Sequence, residues 1–257
     1  MINLQLDTYL GAEYKSKSQK VRVMTESWVS DNLFCLQCGN SKLENYENNR
    51  KVADFFCKNC GWEYELKSKN GQAKNKIVDG QYSTMITRLN SLTNPSLFFL
   101  NYDKNFVVND FLAIPKYFFV PEIIEERKPL SVDAKRAGWV GCNILFSKIP
   151  SSGIVFIIKD KELLSADNIK KQWQKTQFLN EAKTIQSRGW TLDIFKIITN
   201  LRKVEFSLED VYKFESLLSK KYPKNKYIKD KIRQQLQILR DKKVLAFTKR
   251  GQYKLLI

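Results

Sequence analysis

Residues 53–67 read Ala-Asp-Phe-Phe-Cys-Lys-Asn-Cys-Gly-Trp-Glu-Tyr-Glu-Leu-Lys, and they contain the most informative pattern for the fold of the first part of the chain. Residues 53–56 and 62–67 are short runs typical of strands, separated by a Cys-x-x-Cys-Gly turn. Side chains alternate along a strand, so Glu65 and Lys67 share one face of the second run, opposite Trp62, Tyr64 and Leu66. We expect the apolar face to be buried and the charged face to be either functional or solvated.

A second Cys-x-x-Cys pair precedes this stretch. Cys35 and Cys38 are separated from Cys57 and Cys60 by 18 residues, within the spacing of four-thiolate zinc sites. A glycine follows each pair, which suits a sharp turn at the metal. Four thiolates close the shell of Zn²⁺, so the predicted zinc is structural. Four unrelated thiols, or a single redox pair, explain the doubled pattern less well. Cys142 stands apart and is predicted to be a buried small residue.

Asp54 lies eleven positions before Glu65-Leu-Lys67. PD-(D/E)xK nucleases place such a set on two neighbouring strands, although here Ala53 replaces the proline of the motif. Two carboxylates can converge on Mg²⁺ at a scissile phosphate, and the lysine can orient or deprotonate the attacking water. The same spacing also arises by chance on solvated strands.

The composition narrows the possible chemistry. The 257 residues carry a net charge of +17 and include no histidine, which excludes histidine-dependent triads, HExxH proteases and mixed Cys/His zinc sites. A folded chain with this surplus is expected to bind a polyanion, and nucleic acid is the polyanion we expect. No apolar stretch approaches 18 residues, so no segment is expected to enter a membrane. The expected location is the cytoplasm of a prokaryote.

The rest of the first part predicts a mixed α/β core. We expect two helices within residues 3–32, strands at 96–101, 106–114 and 154–158, and a surface excursion from Pro115 to Pro129. Helices are predicted at 79–92 and 166–184, and Ser187-Arg-Gly reads as a linker. The domain border is placed after residue 183, giving a catalytic domain with a zinc site at 1–183 and a DNA-binding domain at 184–257.

The second part is small and basic. Residues 184–257 hold 18 Lys+Arg and 7 Asp+Glu, and they read as three helices followed by a hairpin, the pattern of a winged helix. The third helix and the hairpin turn are expected to contact DNA. The predicted DNA-binding residues of this part are Lys229, Arg233, Gln234, Gln235, Lys249 and Arg250. A basic helical bundle that grips another protein is the alternative.

Five runs of the chain resemble the DpnI-type methyl-directed restriction endonucleases: 47–54, 65–69, 137–143, 187–191 and 232–241. The resemblance implies a PD-(D/E)xK domain with an embedded zinc site and a C-terminal winged helix. It further implies Mg²⁺-dependent cleavage of double-stranded DNA at 5′-GATC-3′ with N6-methylated adenine, giving blunt ends. We expect the protein to be a monomer in solution, and the sequence leaves its oligomeric state during cleavage open. The resemblance makes Asp54, Glu65 and Lys67 the catalytic set, with Mg²⁺ held by Asp54, Glu65 and the main-chain carbonyl of Leu66. Lys51 stands where the family has proline.

A methyl reader is also expected in the first domain. An N6-methyl group is a small apolar group in the major groove, and contact with an aromatic side chain would favour binding of the methylated base. Trp139, with Arg136 close by in a predicted loop, is the candidate, and ordinary packing is the alternative for this tryptophan. The alternative for the whole chain is a non-enzymatic zinc-ribbon and winged-helix regulator, which leaves Glu65 and Lys67 without a role.

Overall fold

The structure is a computed structural model that describes residues 2–47, 53–71 and 75–256. The chain divides into two compact units, an N-terminal unit that ends at Gln177 and a C-terminal unit that begins at Phe178. The border predicted from the sequence lies a few residues further along. Phe178 belongs to the second unit because its ring packs edge-on against Phe195, with 5.4 Å between the centroids.

The described residues of the N-terminal unit form ten strands and three α-helices. The strands are β1 (Glu44–Asn45), β2 (Phe55–Phe56), β3 (Glu63–Asn70), β4 (Lys76–Gln81), β5 (Ser96–Tyr102), β6 (Val108–Ile114), β7 (Ile124–Glu126), β8 (Gly141–Leu145), β9 (Val155–Lys159) and β10 (Glu162–Leu163). The helices are α1 (Lys17–Asn32), α2 (Tyr82–Asn90) and α3 (Ala166–Gln174). Short 3-10 turns connect several of these elements.

In the described chain the main sheet has the order β1-β2-β3-β5-β6-β9-β10. The β3 and β5 strands are parallel and the other pairs are antiparallel. Every residue of β5 is buried, as its continuous apolar run predicts. The α1 helix packs on this sheet through Met24 and Trp28, whose ring lies 5.7 Å from that of Phe111. The predicted mixed α/β fold is confirmed.

A second, three-stranded sheet has the order β4-β8-β7 and is entirely antiparallel. Asp79, on β4, pairs with Cys142 on β8, and the ladder shifts between Asp79 and Gln81, which leaves Gly80 as the extra residue of a bulge. The prediction that a helix begins at Asp79 is wrong. The helix starts at Tyr82, because residues 76–79 and Gln81 pair with β8 and so extend the strand up to the helix.

Three other predictions for the secondary structure are wrong. The first segment contains one α-helix and a 3-10 turn at Tyr9–Gly11 instead of two helices. Residues 117–120 are buried and not a surface excursion, because their four apolar side chains enter the core despite the flanking prolines. Helix α3 ends at Gln174 and Ser187-Arg-Gly lies inside the next helix, where the capping box of Thr184 starts the helix earlier than the glycine suggested.

The described residues of the C-terminal unit form four helices and a small sheet, one helix more than predicted, because the helix expected after Ser207 is divided into two. The helices are α4 (Ile185–Asn200), α5 (Leu208–Tyr212), α6 (Glu215–Lys221) and α7 (Ile228–Asp241). The strands are β11 (Glu205–Ser207), β12 (Leu245–Lys249) and β13 (Gln252–Leu255), in the order β11-β13-β12. Ser207 caps α5 together with Asp210, as predicted. The inner stripe of α7, Ile232, Leu236 and Leu239, is fully buried.

Among the described residues, no helix combines the length and the apolar character needed to cross a membrane.

Candidate active site and metal centre

The four predicted zinc ligands come together at one point. The Sγ atoms of Cys35 and Cys60 lie 3.6 Å apart, those of Cys38 and Cys57 also lie 3.6 Å apart, and all four fall within 4.8 Å of one another. A tetrahedron with Zn–S bonds of about 2.3 Å has sulfur–sulfur edges of about 3.8 Å, so the cluster fits zinc. The four cysteines could therefore hold a zinc ion.

The local turns explain this geometry. In each knuckle, the N–H of the glycine donates to the carbonyl of the first cysteine at 2.8 Å: Gly39 to Cys35 and Gly61 to Cys57. Both glycines have a positive φ, which a sharp reversal of the chain requires. The Nδ2 of Asn59 donates to the Sγ of Cys38 at 3.5 Å. This hydrogen bond is the main reason why the pKa of Cys38 is lowered to about 6.

Tyr64 connects the four-cysteine cluster to β3. Its hydroxyl lies 3.4 Å from the Sγ of Cys35 and accepts the N–H of Leu36 at 3.0 Å, while its ring stacks on Phe98 at 4.3 Å. The next residue along β3, Glu65, points to the opposite face because side chains alternate. The four-cysteine cluster and the charged face are therefore on opposite sides of one strand.

Asp54 and Glu65 lie on adjoining segments of the main sheet. The N–H of Asp54 donates to the carbonyl of Tyr64 at 2.9 Å, and Phe55 of β2 pairs with Tyr64 of β3. The Oδ2 of Asp54 accepts the main-chain N–H of Leu66 at 2.6 Å. The arrangement predicted from the spacing, an acid beside the Glu-x-Lys strand, is thus present in the structure. Lys51, where this chain departs from the family, lies outside the described residues.

Lys67 sits between two carboxylates. Its Nζ lies 2.6 Å from the Oε1 of Glu65 and 2.7 Å from the Oδ1 of Asp79. Burial alone would lower the pKa of Lys67, but the charges of Glu65 and Asp79 outweigh it and raise the pKa well above its usual range. Lys67 is therefore an ammonium donor at neutral pH. We call Asp54, Glu65, Lys67 and Asp79 the acid–lysine cluster.

The carboxylates of this cluster are poorly solvated. Burial raises the pKa of Glu65 to about 8, although the charge of Lys67 opposes it. Burial also raises the pKa of Asp54, against the hydrogen bond from Leu66. With all its groups ionised the cluster carries three negative charges and one positive charge. Carboxylate oxygens are the ligands that hard divalent cations prefer.

Asp79 was missed in the sequence. The helix predicted to begin at Asp79 hides this acid, whereas the alternation Lys76-Ile77-Val78-Asp79 is that of a strand with Ile77 and Asp79 facing inwards. That alternation was the available signal. Cys142, opposite Asp79, is fully buried, as predicted, and burial raises its pKa to about 12.

The predicted methyl reader lies in a loop between β7 and β8. Residues Leu130 and Trp139 face each other across the loop, with the N–H of Leu130 donating to the carbonyl of Trp139 at 3.0 Å. The guanidinium of Arg136 lies 4.7 Å from the centre of the half-buried Trp139 ring. That ring rests on Gly141, where a methyl group would clash at 2.7 Å. Because β8 also pairs with β4, the loop and Asp79 are carried by the same small sheet.

Most of the predicted DNA-binding residues of the C-terminal unit are exposed. Lys229, Arg233 and Gln234 lie on the outer face of α7, and Lys249 and Arg250 lie at the hairpin turn. Arg233 pairs with Asp230 and donates to the hydroxyl of Tyr212 at 3.1 Å.

Gln235 is the exception, and its predicted place on the outer face of α7 is wrong. It is 1% exposed, and its Oε1 accepts the hydroxyl of Thr191 at 2.7 Å. The physical reason is its position three residues after Ile232, on the buried stripe of the helix.

A model of the DpnI family, described as the Dam-replacing family, matches residues 2–182. The chain belongs to the Dam-replacing family. A second model, described as the Dam-replacing HTH domain, matches residues 186–255, which confirms the predicted C-terminal domain of the helix-turn-helix class.

Membership of the Dam-replacing family confirms the resemblance drawn from the sequence. It indicates a methylation-dependent restriction endonuclease, and therefore a nuclease with DNA as its partner. Residues of both the acid–lysine cluster and the four-cysteine cluster fall within the range that the first family model matches.

Proposed function

We propose that this chain is a Mg²⁺-dependent Type II restriction endonuclease. It hydrolyses double-stranded DNA at 5′-GATC-3′ when the adenine is N6-methylated, leaves blunt ends, and acts as a monomer in solution. The observation that carries the hydrolytic part is the acid–lysine cluster, in which the Lys67 Nζ lies 2.6 and 2.7 Å from two carboxylates. The resemblance to DpnI-type enzymes supports the sequence specificity and the blunt ends.

The side chains of the cluster fit a magnesium ion. Asp54, Glu65 and the main-chain carbonyl of Leu66 would hold it, because Mg²⁺ prefers oxygen ligands and is commonly bound through one or two carboxylates. The Oδ2 of Asp79, which is buried and has no hydrogen-bond partner among the residues that the structure describes, adds negative charge beside these ligands. When bound, Mg²⁺ supplies a Lewis acid for the scissile phosphate and acidifies the attacking water.

The chain itself supplies orientation and a fixed positive charge. The N–H of Leu66 holds the Asp54 carboxylate in place at 2.6 Å. Lys67 keeps its proton, so its role is to donate hydrogen bonds to the water or to the phosphate oxygens on which negative charge develops, and not to act as the base. The zinc cluster holds β3 from the other face and takes no part in the chemistry.

Both units offer contacts to DNA. The exposed face of α7, with Lys229, Arg233 and Gln234, is suited to the major groove, and Lys249 and Arg250 are suited to phosphates. In the N-terminal unit, the face of Trp139 offers an apolar wall to an N6-methyl group, with Arg136 stacked against the ring.

A cleavage assay tests the proposal. Plasmid with N6-methylated GATC sites and unmethylated plasmid are incubated with the protein and Mg²⁺, and the ends are sequenced. We expect blunt cutting within methylated GATC alone. Asp54→Ala and Glu65→Gln should abolish cutting while DNA binding persists, whereas Glu162→Gln, an exposed carboxylate on β10 at the far edge of the same sheet, should cut normally. Normal cutting by Asp54→Ala would refute the assignment of the cluster.

Binding to methylated DNA without cleavage at any Mg²⁺ concentration would favour the regulator alternative. In that case added Mg²⁺ should weaken binding only through ionic strength.

A further inference from the structure

The acid–lysine cluster contains one acid more than the proposed magnesium ligands. Asp79 comes from β4, outside the main sheet that carries the other three residues, and its side chain is 2% exposed. Its Oδ1 accepts the N–H of Gly80 at 2.6 Å and contacts the Nζ of Lys67 at 2.7 Å. Its Oδ2 is buried and, within the described residues, has no hydrogen-bond partner.

Fold stability does not account for this side chain. Asp79 faces inwards with Ile77, where an apolar side chain would avoid the desolvation of a carboxylate. Replacing a buried ion pair by apolar residues is often neutral or stabilising. The bulge at Gly80 interrupts the ladder at Asp79, and such bulges commonly direct a side chain towards an active site.

Lys67 has two carboxylate partners, and only one of them is a proposed cation ligand. The ammonium group is shared between Glu65 and Asp79. A cation bound to Glu65 competes with Lys67 for the same negative charge, and Asp79 is then the partner that remains. We infer that Asp79 is a positioning residue: it holds the Lys67 ammonium in place and so frees Glu65 to bind the cation. This inference rests on the proposed function.

Steady-state kinetics test the role. Asp79→Asn keeps the shape of the side chain and removes its charge, and we expect a kcat about 10- to 100-fold lower with an unchanged KM for methylated duplex. Asp110→Asn is the matched control, because the Asp110 carboxylate accepts neutral donors, the Nδ2 of Asn101 at 2.7 Å and the N–H of Asp160 at 2.9 Å. It should leave kcat unchanged. Asp79→Glu, which keeps the charge, is expected to cut faster than Asp79→Asn, and equal rates would contradict the inference.

Two further measurements do not depend on cleavage. Calorimetric titration with Ca²⁺ should show an affinity about 10- to 100-fold lower in Asp79→Asn, because Lys67 then stays on Glu65. In a Lys67→Met background the same substitution should have a much smaller effect. Denaturant unfolding of the zinc-loaded protein should show that Asp79→Asn and Lys67→Met are not additive, whereas Asp110→Asn and Lys67→Met are.

The outcomes separate this inference from the proposed function. If the wild-type protein binds Ca²⁺ but cuts no methylated duplex, the proposed function fails, and the Ca²⁺ and unfolding measurements still decide the role of Asp79. An Asp79→Asn variant that is less stable but has normal kcat and normal Ca²⁺ affinity overturns the inference. So does an equal loss of Ca²⁺ affinity with and without Lys67.

Discussion

The pH dependence of cation binding is a direct consequence of the burial of Glu65. Burial raises the pKa of this carboxyl to about 8, and a cation requires the ionised form. The affinity for Ca²⁺ in the absence of DNA should therefore fall about 50-fold between pH 8 and pH 6, and about ninefold of this should occur between pH 7 and pH 6. Isothermal titration calorimetry in buffers of different ionisation enthalpy would measure both the affinity and the proton released.

The chain suits this experiment because it has no histidine. With zinc bound, the four thiolates do not titrate in this range either. Glu65→Gln should bind Ca²⁺ weakly at every pH, and Glu162→Gln should follow the wild-type curve. An affinity that stays constant from pH 6 to pH 8 would contradict either the burial of Glu65 or its role as a ligand.

The same shift has the opposite effect on the stability of the cation-free protein. The pKa of Glu65 is raised above its unfolded value of 4.5, so the folded state binds the proton more tightly than the unfolded state. This contribution to the free energy of unfolding is fully present below pH 4.5 and is lost as the pH rises to about 8. Denaturant titrations should show that the free energy of unfolding of the wild-type protein falls across this pH range relative to that of Glu65→Gln.

Three other predictions concern zinc, methyl recognition and α7. Chelation of zinc should lower the Tm of the N-terminal unit by about 20 °C or more, because structural zinc contributes on the order of 10 kcal/mol to the free energy of unfolding and each kcal/mol changes the Tm by about 2–4 °C. A Tm that does not respond to a chelator would contradict a structural metal. The control variant Cys142→Ala should keep its zinc. Trp139→Ala should reduce the preference for methylated over unmethylated duplex about 10-fold or more, as measured by fluorescence anisotropy, whereas Trp139→Phe should keep this preference. An unchanged preference in Trp139→Ala would mean that Trp139 serves only the packing of its loop. Gln235→Leu should lower the free energy of unfolding by about 0.5–1.5 kcal/mol, because the hydrogen bond from Thr191 to Gln235 is lost while the Thr191 hydroxyl keeps the Ser187 carbonyl as an acceptor at 3.0 Å. DNA affinity should not change in this variant, whereas Gln234→Ala should weaken binding. The reverse pattern would return Gln235 to the DNA-binding face.

The sequence was most informative where local geometry determines contacts. Two Cys-x-x-Cys-Gly knuckles can be read from spacing because the turn itself aligns the sulfur atoms. Glu65 and Lys67 share a face of β3 because side chains alternate along a strand. Asp54 lies next to them because β2 and β3 form a hairpin whose turn is the second Cys-x-x-Cys-Gly knuckle. The inner stripe of α7 follows in the same way from helical periodicity.

The errors arose where tertiary packing overrides local pattern. Asp79 is a charged residue on an inward-facing position, which becomes understandable only once Lys67 is placed beside it by another sheet. Gln235 is polar, yet Thr191 on α4 satisfies it inside the helical core. The aromatic residues at 117–119 looked like a loop because of the prolines around them, but their area is large enough to bury the segment.

Tyr64 and Glu65 are neighbours on β3 and face opposite sides of the sheet. The register of β3 against β5 must therefore be exact. A shift of one residue against β5 would turn the phenol ring towards the cation and the carboxylate towards the sulfur atoms. The four-cysteine cluster holds the hydroxyl of Tyr64 through Cys35 and Leu36, and this contact fixes the register of β3. Loss of zinc should therefore misalign both acids at once, and nuclease activity should disappear in one step as zinc is removed.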